Sequence, residues 1–240
     1  MRILLTNDDG MHAAQLIPLV RWCRKLGDVT VAVPKVEQSA KSHGIEIHKP
    51  FEAKQVELAP DVTVWAVDST PADCVRFAVL GLKQQFDLVI SGVNRGLNVG
   101  TDIMYSGTAA AVFEAGNLGI PAVALSTEPK FYDRATEHLD MVLEYFQEHK
   151  LMEVHSHYNV NIPGEVKGIR ITRQGGSYYS DDFPPIGNDL YRPTGKCVYV
   201  DHHDYTIDTD AALHGYISIM PMTTVRTDMA IYNKLTYLNP

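Results

Sequence analysis

Arg2-Ile3-Leu4-Leu5-Thr6-Asn7-Asp8-Asp9-Gly10 opens the chain with a short apolar run that stops on two adjacent acids and a glycine. A run of this length bounded by turn residues reads as a buried β-strand, here residues 2–6. Beyond it Leu16, Leu19, Val20 and Cys23 recur at helical spacing until Gly27, with Pro18 near the helix start, where a missing N–H costs little. The same order repeats outward. Residues 29–33 form a strand ending at Pro34; residues 62–67 form another, followed by a helix opened by Pro71 and carrying Cys74, Phe77, Ala78 and Leu82; residues 88–91 return as a buried strand. A glycine-rich loop is expected over 91–107, an alanine-rich helix over 108–118, a strand over 122–126 and a covering helix near 134–147. Repeated strand-helix-strand units imply parallel pairing with right-handed crossovers. The expected fold is α/β, a doubly wound, mainly parallel sheet with a Rossmann-like three-layer core.

Past residue 151 the texture changes to short β-like runs (159–162, 169–173, 197–200, 216–220) between Gly, Pro and Asp clusters. The reading is one domain: residues 1–150 as the α/β core carrying the site, and 151–240 as remaining core strands plus a hairpin or oligomerisation arm. With 45% hydrophobic and 21% charged residues, the composition is that of a folded globular protein rather than a disordered chain. A net charge of −8 argues against extended contact with a nucleic-acid duplex, although a local metal or helix terminus can still favour a small anion. No apolar run approaches the roughly 20 residues that span a bilayer, and no signal peptide precedes the first acids, so no membrane association is expected. Cys23, Cys74 and Cys197 are too far apart for a CxxC clip and odd in number, which suits a reducing cytoplasm.

In a parallel α/β sheet, ligands gather beyond the carboxyl ends of the strands. Asp8 and Asp9 stand there. Adjacent carboxylates repel unless a cation lies beside them, and a hard divalent ion with oxygen ligands answers that need. A turn or helix cap would account for one Asp; Asn-Asp-Asp-Gly after a first strand favours the metal. Ser91-Gly92-Val93-Asn94-Arg95-Gly96-Leu97-Asn98-Val99-Gly100 follows another buried strand, with glycines for close backbone approach and Asn amides for metal or phosphate. Local composition leaves a plain turn equally open. Tyr105-Ser106-Gly107-Thr108 opens the alanine-rich helix, where free N–H groups and hydroxyls suit a phosphate, though N-capping by Ser106 alone explains that residue. The three groups converge on one metal-and-phosphate crevice. His155-x-His157 and His202-His203-x-Tyr205 lack an acidic or Cys partner at metal-site spacing and read as surface histidines. Asp181-Asp182 and Asp208-x-Asp210 read as solvated turn residues, and Trp22 and Trp65 as core or near-core.

These motifs, together with Ser69-Thr70-Pro71-Ala72-Asp73-Cys74-Val75 and Gly215-Tyr216-Ile217-Ser218-Ile219, resemble in order and spacing those of SurE, the survival protein E family of 5′- and 3′-nucleotidases. The resemblance implies a metal-dependent phosphomonoesterase that hydrolyses nucleoside 5′-monophosphates, with the 3′ isomers as further candidate substrates. It also implies one divalent ion, Mg or Mn, at Asp8, Asp9, Ser39 and Asn94, with Asn98, Ser106, Gly107 and Thr108 on the phosphate side. Asp8 and Asp9 would be the catalytic acids, and a homodimer or homotetramer the assembly. Departures such as His12-Ala13-Ala14-Gln15 and Ala40-Lys41-Ser42 leave those positions untouched.

Two other classes remain at this level. A non-catalytic, metal-binding receiver-like signalling module also places paired acids after a first strand, but Asn94 and Ser126 stand near where its phosphorylated Asp and its Lys belong. A dinucleotide-binding domain would need GxGxxG where Asn7-Asp8-Asp9-Gly10 stands.

Overall fold

Ile3, Leu4 and Leu5 are fully buried, so the strand they form has helices on both faces. The structure, a computed structural model, describes residues 1–238. In chain order its elements are β1 (Arg2–Thr6), α1 (Leu16–Cys23), β2 (Asp28–Pro34), β3 (Ala53–Ala59), β4 (Val62–Val67), α2 (Pro71–Arg76), β5 (Leu88–Arg95), α3 (Gly107–Asn117), β6 (Ala122–Thr127), α4 (Leu139–Glu148) and α5 (Leu151–Val154). There follow β7 (His157–Ile162), β8 (Gly168–Ile171), β9 (Tyr179–Asp182), β10 (Pro185–Gly187), β11 (Leu190–Tyr191), β12 (Thr194–Cys197), α6 (Asp208–Leu213), β13 (Tyr216–Pro221) and α7 (Met229–Leu235).

The main sheet has nine strands in the order β3-β4-β2-β1-β5-β6-β7-β13-β8. From β4 to β7 every neighbour is parallel; β3 on β4 and β13 on β7 are antiparallel. The period-2 alternation of β1 sorts its side chains into two layers. Ile3 and Leu5 join Leu16, Leu19 and Val20 of α1 and Leu139 and Val142 of α4. Leu4 joins Cys74 and Val75 of α2 and Ala109, Ala111, Val112 and Ala115 of α3. The expected three-layer α/β core is present. β7, β13 and β8 belong to the same sheet as β1, while β9 with β12 and β10 with β11 make separate two-stranded ladders.

Two helix starts near the site are set by local chemistry. Pro71 follows the cap Thr70, whose Oγ1 accepts from Asp73 N at 3.2 Å, and Ser106 Oγ accepts from Ala109 N at 3.0 Å. Each such cap contributes about 1 kcal/mol.

The chain leaves β1 for β2 on one side and later returns to β5 on the other, so the strand order reverses between β1 and β5. In an open parallel sheet, ligands gather beyond the carboxyl ends at such a reversal, and both the acidic loop after β1 and the Asn-bearing loop after β5 leave the sheet there.

Several expectations need correction. β3 is a strand in a stretch to which the sequence pattern assigns no element: Lys54, Gln55 and Glu57 are exposed along an edge, and these polar side chains conceal the pattern. β5 continues to Arg95 rather than stopping at 91, because Gly92, at φ +135°, carries a register shift between Ser91 and Asn94. A Cβ at Gly92 would lie 2.3 Å from the Leu125 carbonyl oxygen. The rest of the expected loop includes a 3₁₀ turn, Gly100–Tyr105. The covering helix starts only at Leu139, after a second 3₁₀ turn over Pro129–Arg134. The run expected at 197–200 pairs instead at Thr194–Cys197, and α6 and α7 occupy a region read as β-like. Asp208 and Asp210 are not solvated: both are fully buried at the start of α6, Asp208 satisfied by Gly100 N and Gly175 N from distant parts of the chain and Asp210 by the preceding 199–204 loop. Asp181 and Asp182 are exposed. Among the described residues no helix is long and apolar enough to cross a membrane.

Candidate active site

The turn after β1 is shaped by Asn7, whose Oδ1 accepts from Gly10 N at 3.1 Å and whose Nδ2 donates to the Gly10 carbonyl at 3.0 Å. This leaves Asp8 and Asp9 at the tip. Asp8 is buried against the start of α3, where Thr108 Oγ1 donates to its Oδ1 at 2.6 Å and Thr108 N to its Oδ2 at 3.2 Å. Gly107 permits the approach: a Cβ there would stand 2.8 Å from Asp8 Cβ and 3.0 Å from its Oδ2. The positive end of α3 therefore acts first on Asp8. Burial nevertheless raises the Asp8 carboxyl above its ordinary range, opposed by the Thr108 hydroxyl and backbone N–H.

Asp9 is held from the other side of the crevice. Its Oδ2 accepts from Arg95 N, at the end of β5, at 3.1 Å and from the Tyr132 hydroxyl at 3.3 Å. Its carboxyl is pushed up to about 6, first by burial and next by the charge of Asp8, with Glu37 adding a smaller push; Arg95 N and Tyr132 oppose them. Tyr132 is itself shifted upward by burial and by Asp9. Among the described residues Asp9 Oδ1 accepts no hydrogen bond, and no Lys or Arg side chain pairs with Asp8 or Asp9.

The remaining expected residues surround this pair unevenly. The 35–49 loop is tied to the site by Gln38 N, which donates to the Asp8 carbonyl at 2.7 Å. The next residue, Ser39, is exposed and donates from Oγ to Glu37 Oε1 at 2.6 Å. Asn94 Nδ2 donates to the Gly96 carbonyl at 2.8 Å, which leaves its amide oxygen as a donor atom for a cation. Asn98 is buried and braced on every side: its N–H donates to Asn161 Oδ1 at 2.8 Å, its carbonyl accepts from Asn159 and Asn161, and its Nδ2 donates to Ser126 Oγ at 2.8 Å. Ser106 caps α3, so its hydroxyl oxygen accepts from Ala109 N while its own hydrogen remains available. Thr108 touches Asp8 with both of its donors.

The residues that local reading missed are Glu37, Tyr132, Ser126, Asn159 and Asn161. Asn159-Val160-Asn161 did carry a signal, since two Asn alternating with Val inside an otherwise apolar strand must satisfy buried amides. Tyr132 carried none, because nothing near it in sequence links it to Asp9.

The donor set suits a hard cation. Two adjacent acids, a third acid at Glu37, an unbonded carboxylate oxygen on Asp9, the Asn94 amide oxygen and the Ser39 hydroxyl are all oxygen donors, with no sulfur or imidazole among them.

The family described as Survival protein SurE matches residues 3–181. A protein of Thermoanaerobacter sp. strain X514 named 5′-nucleotidase SurE is 37% identical, covering 100% of this chain and 97% of the relative. The protein of the same name from Thermosipho melanesiensis is 34% identical, covering 98% and 96% respectively. The crystal structure of the SurE protein from Aquifex aeolicus superimposes with a TM-score of 0.77 at 30% identity, with 100% of both chains covered.

Proposed function

The chain belongs to the SurE family, and from that premise we propose that it is a divalent-metal-dependent nucleotidase, releasing phosphate from nucleoside 5′-monophosphates and also from the 3′ isomers. The observation that carries this reading is the Asp8–Asp9 pair at the β1/β5 reversal, with Asp8 buried, Asp9 half-buried and pushed upward by the Asp8 charge, and an oxygen of Asp9 unbonded. Asp8, Asp9, Asn94 and Ser39 would hold one Mg²⁺ or Mn²⁺, with Ser39 brought in by the loop that Gln38 anchors. When bound, the ion supplies Lewis-acid polarisation of the phosphoryl group and offsets charge building on its oxygens.

The chain's own residues do the rest. Thr108 fixes the plane of the Asp8 carboxylate, and burial makes that carboxylate a stronger base than an exposed Asp, suited to taking the proton of an attacking water. Arg95 N and Tyr132 hold Asp9 Oδ2 and turn Oδ1 toward the crevice. Asn98, the Ser106 hydroxyl hydrogen and the Gly107–Thr108 end of α3 form the phosphate side, with Asn98 made rigid by Ser126, Asn159 and Asn161. A receiver-like module gains no support: Asn94 has no acid to be phosphorylated, and Ser126 is committed to Asn98.

The test is phosphate release from nucleoside monophosphates and from an aryl phosphate, before and after chelation and after Mg²⁺ or Mn²⁺ is restored. Loss on chelation and recovery with metal is expected; activity that survives full chelation removes the metal from the account. Phosphate trapped covalently on Asp8 would replace the water route by direct attack of the carboxylate.

The assembly proposed is a homodimer or homotetramer formed through the C-terminal third, where Phe183, Ile186, Leu190, Tyr191, Met229 and Leu235 are exposed apolar side chains. A single protomer mass by light scattering would refute it. A reducing, cytoplasmic setting accords with three free cysteines, two of them buried.

A further inference from the structure

His203 and His214 are separated by eleven positions and lack a recognised metal-site spacing, yet the fold brings both rings to one carboxylate. Asp201 Oδ2 lies 2.6 Å from His214 Nε2 and 3.3 Å from His203 Nδ1, and the three ligand atoms fall within 4.8 Å of one another. The other oxygen of Asp201 is used differently. Its Oδ1 accepts from His203 N at 2.8 Å and closes the turn that presents the His203 ring, with His203 at φ +52°.

The loop is not free to drift. Buried Asp210 accepts from His202 N at 3.0 Å and from Asp204 N at 2.9 Å through Oδ2, and from the Tyr199 hydroxyl at 3.0 Å through Oδ1. Asp210 belongs to α6, and His214 is the residue that ends α6. One short helix thus anchors the loop bearing Asp201 and His203 and also carries the third side chain. Tyr205, 5.1 Å from the His214 ring and 5.1 Å from Tyr216, walls one side. His203 stays largely open to solvent, which leaves room for a water in a fourth position.

We propose that Asp201, His203 and His214 form a second metal site, for Zn²⁺, separate from Asp8 and Asp9. Two imidazoles and one carboxylate with an open position are a borderline donor set that zinc accepts and that Mg²⁺ does not favour. Ligand atoms about 2.0–2.1 Å from a tetrahedral zinc stand roughly 3.3 Å apart. The Asp201–His203 separation of 3.3 Å already meets that spacing, and the Asp201–His214 pair need only open slightly. Zinc takes the place of the hydrogen between Asp201 Oδ2 and His214 Nε2, with the neutral ring carrying its one N–H on Nδ1. The ion ties the 201–206 loop to the end of α6.

Cobalt(II) reports this directly, because a tetrahedral site with nitrogen ligands gives visible bands several-fold stronger than an octahedral all-oxygen site. The full chain, stripped of metal, is titrated with Co²⁺ and then with Zn²⁺, alongside H203A, H214A and D9N. The expected result is an intense band in the parent and in D9N, displaced by Zn²⁺ and lost in H203A and H214A. Both histidine variants are expected to keep the parent's circular dichroism and its rate of phosphate release. No band in the parent, a band unchanged in H203A and H214A, or a band lost in D9N alone would each overturn the proposal. Because the readout is spectral, a failure here is separable from loss of nucleotidase activity.

Discussion

The chain carries two acid pairs that serve opposite purposes: Asp208 and Asp210 are both fully buried, whereas Asp8 is buried and Asp9 half-buried. Asp208 and Asp210 begin α6, and their oxygens are filled by protein donors: Gly100 N, Gly175 N and Thr209 N for Asp208; Tyr199, His202 N and Asp204 N for Asp210. Asp8 and Asp9 are adjacent, burial raises the proton affinity of both, the Asp8 charge raises that of Asp9 further, and an oxygen of Asp9 is left unbonded. A buried carboxylate with both oxygens engaged by protein donors ties loops together. One whose charge is uncompensated marks a place that a cation completes.

The largest expected separation between the pairs is kinetic. Asp8→Asn should lower kcat for nucleoside monophosphate by on the order of 10³-fold, because the amide neither accepts a proton nor balances a cation. Its urea midpoint should stay at or above the parent's. A variant retaining more than a tenth of the parent rate would show that Asp8 has no more chemistry than Asp208.

Asp208→Asn is the converse. An amide NH₂ would face backbone N–H groups that now have an acceptor, leaving donors unpaired, at a cost of about 2–3 kcal/mol in urea unfolding. The folded fraction should keep the parent's kcat.

The third separation appears with pH. Burial raises Asp9 to about 6, so the folded metal-free chain favours its protonated form. That contribution is fully present below the ordinary Asp value, about pH 4, and is lost as pH rises through about 6. Metal-free Asp9→Asn should therefore exceed the parent in stability by about 2 kcal/mol at pH 7.5, after discounting for partial exposure, and match it near pH 4. Added Mn²⁺ should reverse the order at pH 7.5. A parent more stable than the variant without metal at pH 7.5 would mean that an unseen positive charge already serves Asp9.

The smallest effect is expected at Thr108. Thr108→Val keeps the backbone donor to Asp8 Oδ2 and removes the hydroxyl from Oδ1, so kcat should fall about tenfold with KM little changed. A change in KM alone would remove the Thr108 hydroxyl from positioning Asp8 and leave Thr108 only its place on the phosphate side.

Legibility in the sequence followed the range of the interactions. β1, β4 and α3 were readable to within a residue, because short apolar runs and a Pro, Gly or Ser at their ends are local signals. Asp8 and Asp9 were readable as a pair because their repulsion is a matter of adjacency. The burial of Asp208 and Asp210 was not, since the donors that make it tolerable come from Gly100 and Gly175 in one case and from a loop folding back in the other. β3 was hidden by Lys54, Gln55 and Glu57, whose polar side chains protect a sheet edge and erase its strand pattern. Tyr132 and Glu37 reach Asp9 only through tertiary structure. Ser39 entered through family resemblance alone, and its hydroxyl rests on Glu37.

Binding of Mn²⁺, followed by loss of the free-ion electron paramagnetic resonance signal in the parent and in D9N, bears most directly on the contrast between the two pairs. One Mn²⁺ per chain is predicted for the parent, with uptake lost in D9N while that variant stays folded and more stable than the metal-free parent at pH 7.5. Equal uptake by the parent and D9N would contradict it, and would place the ion somewhere other than the end of β1.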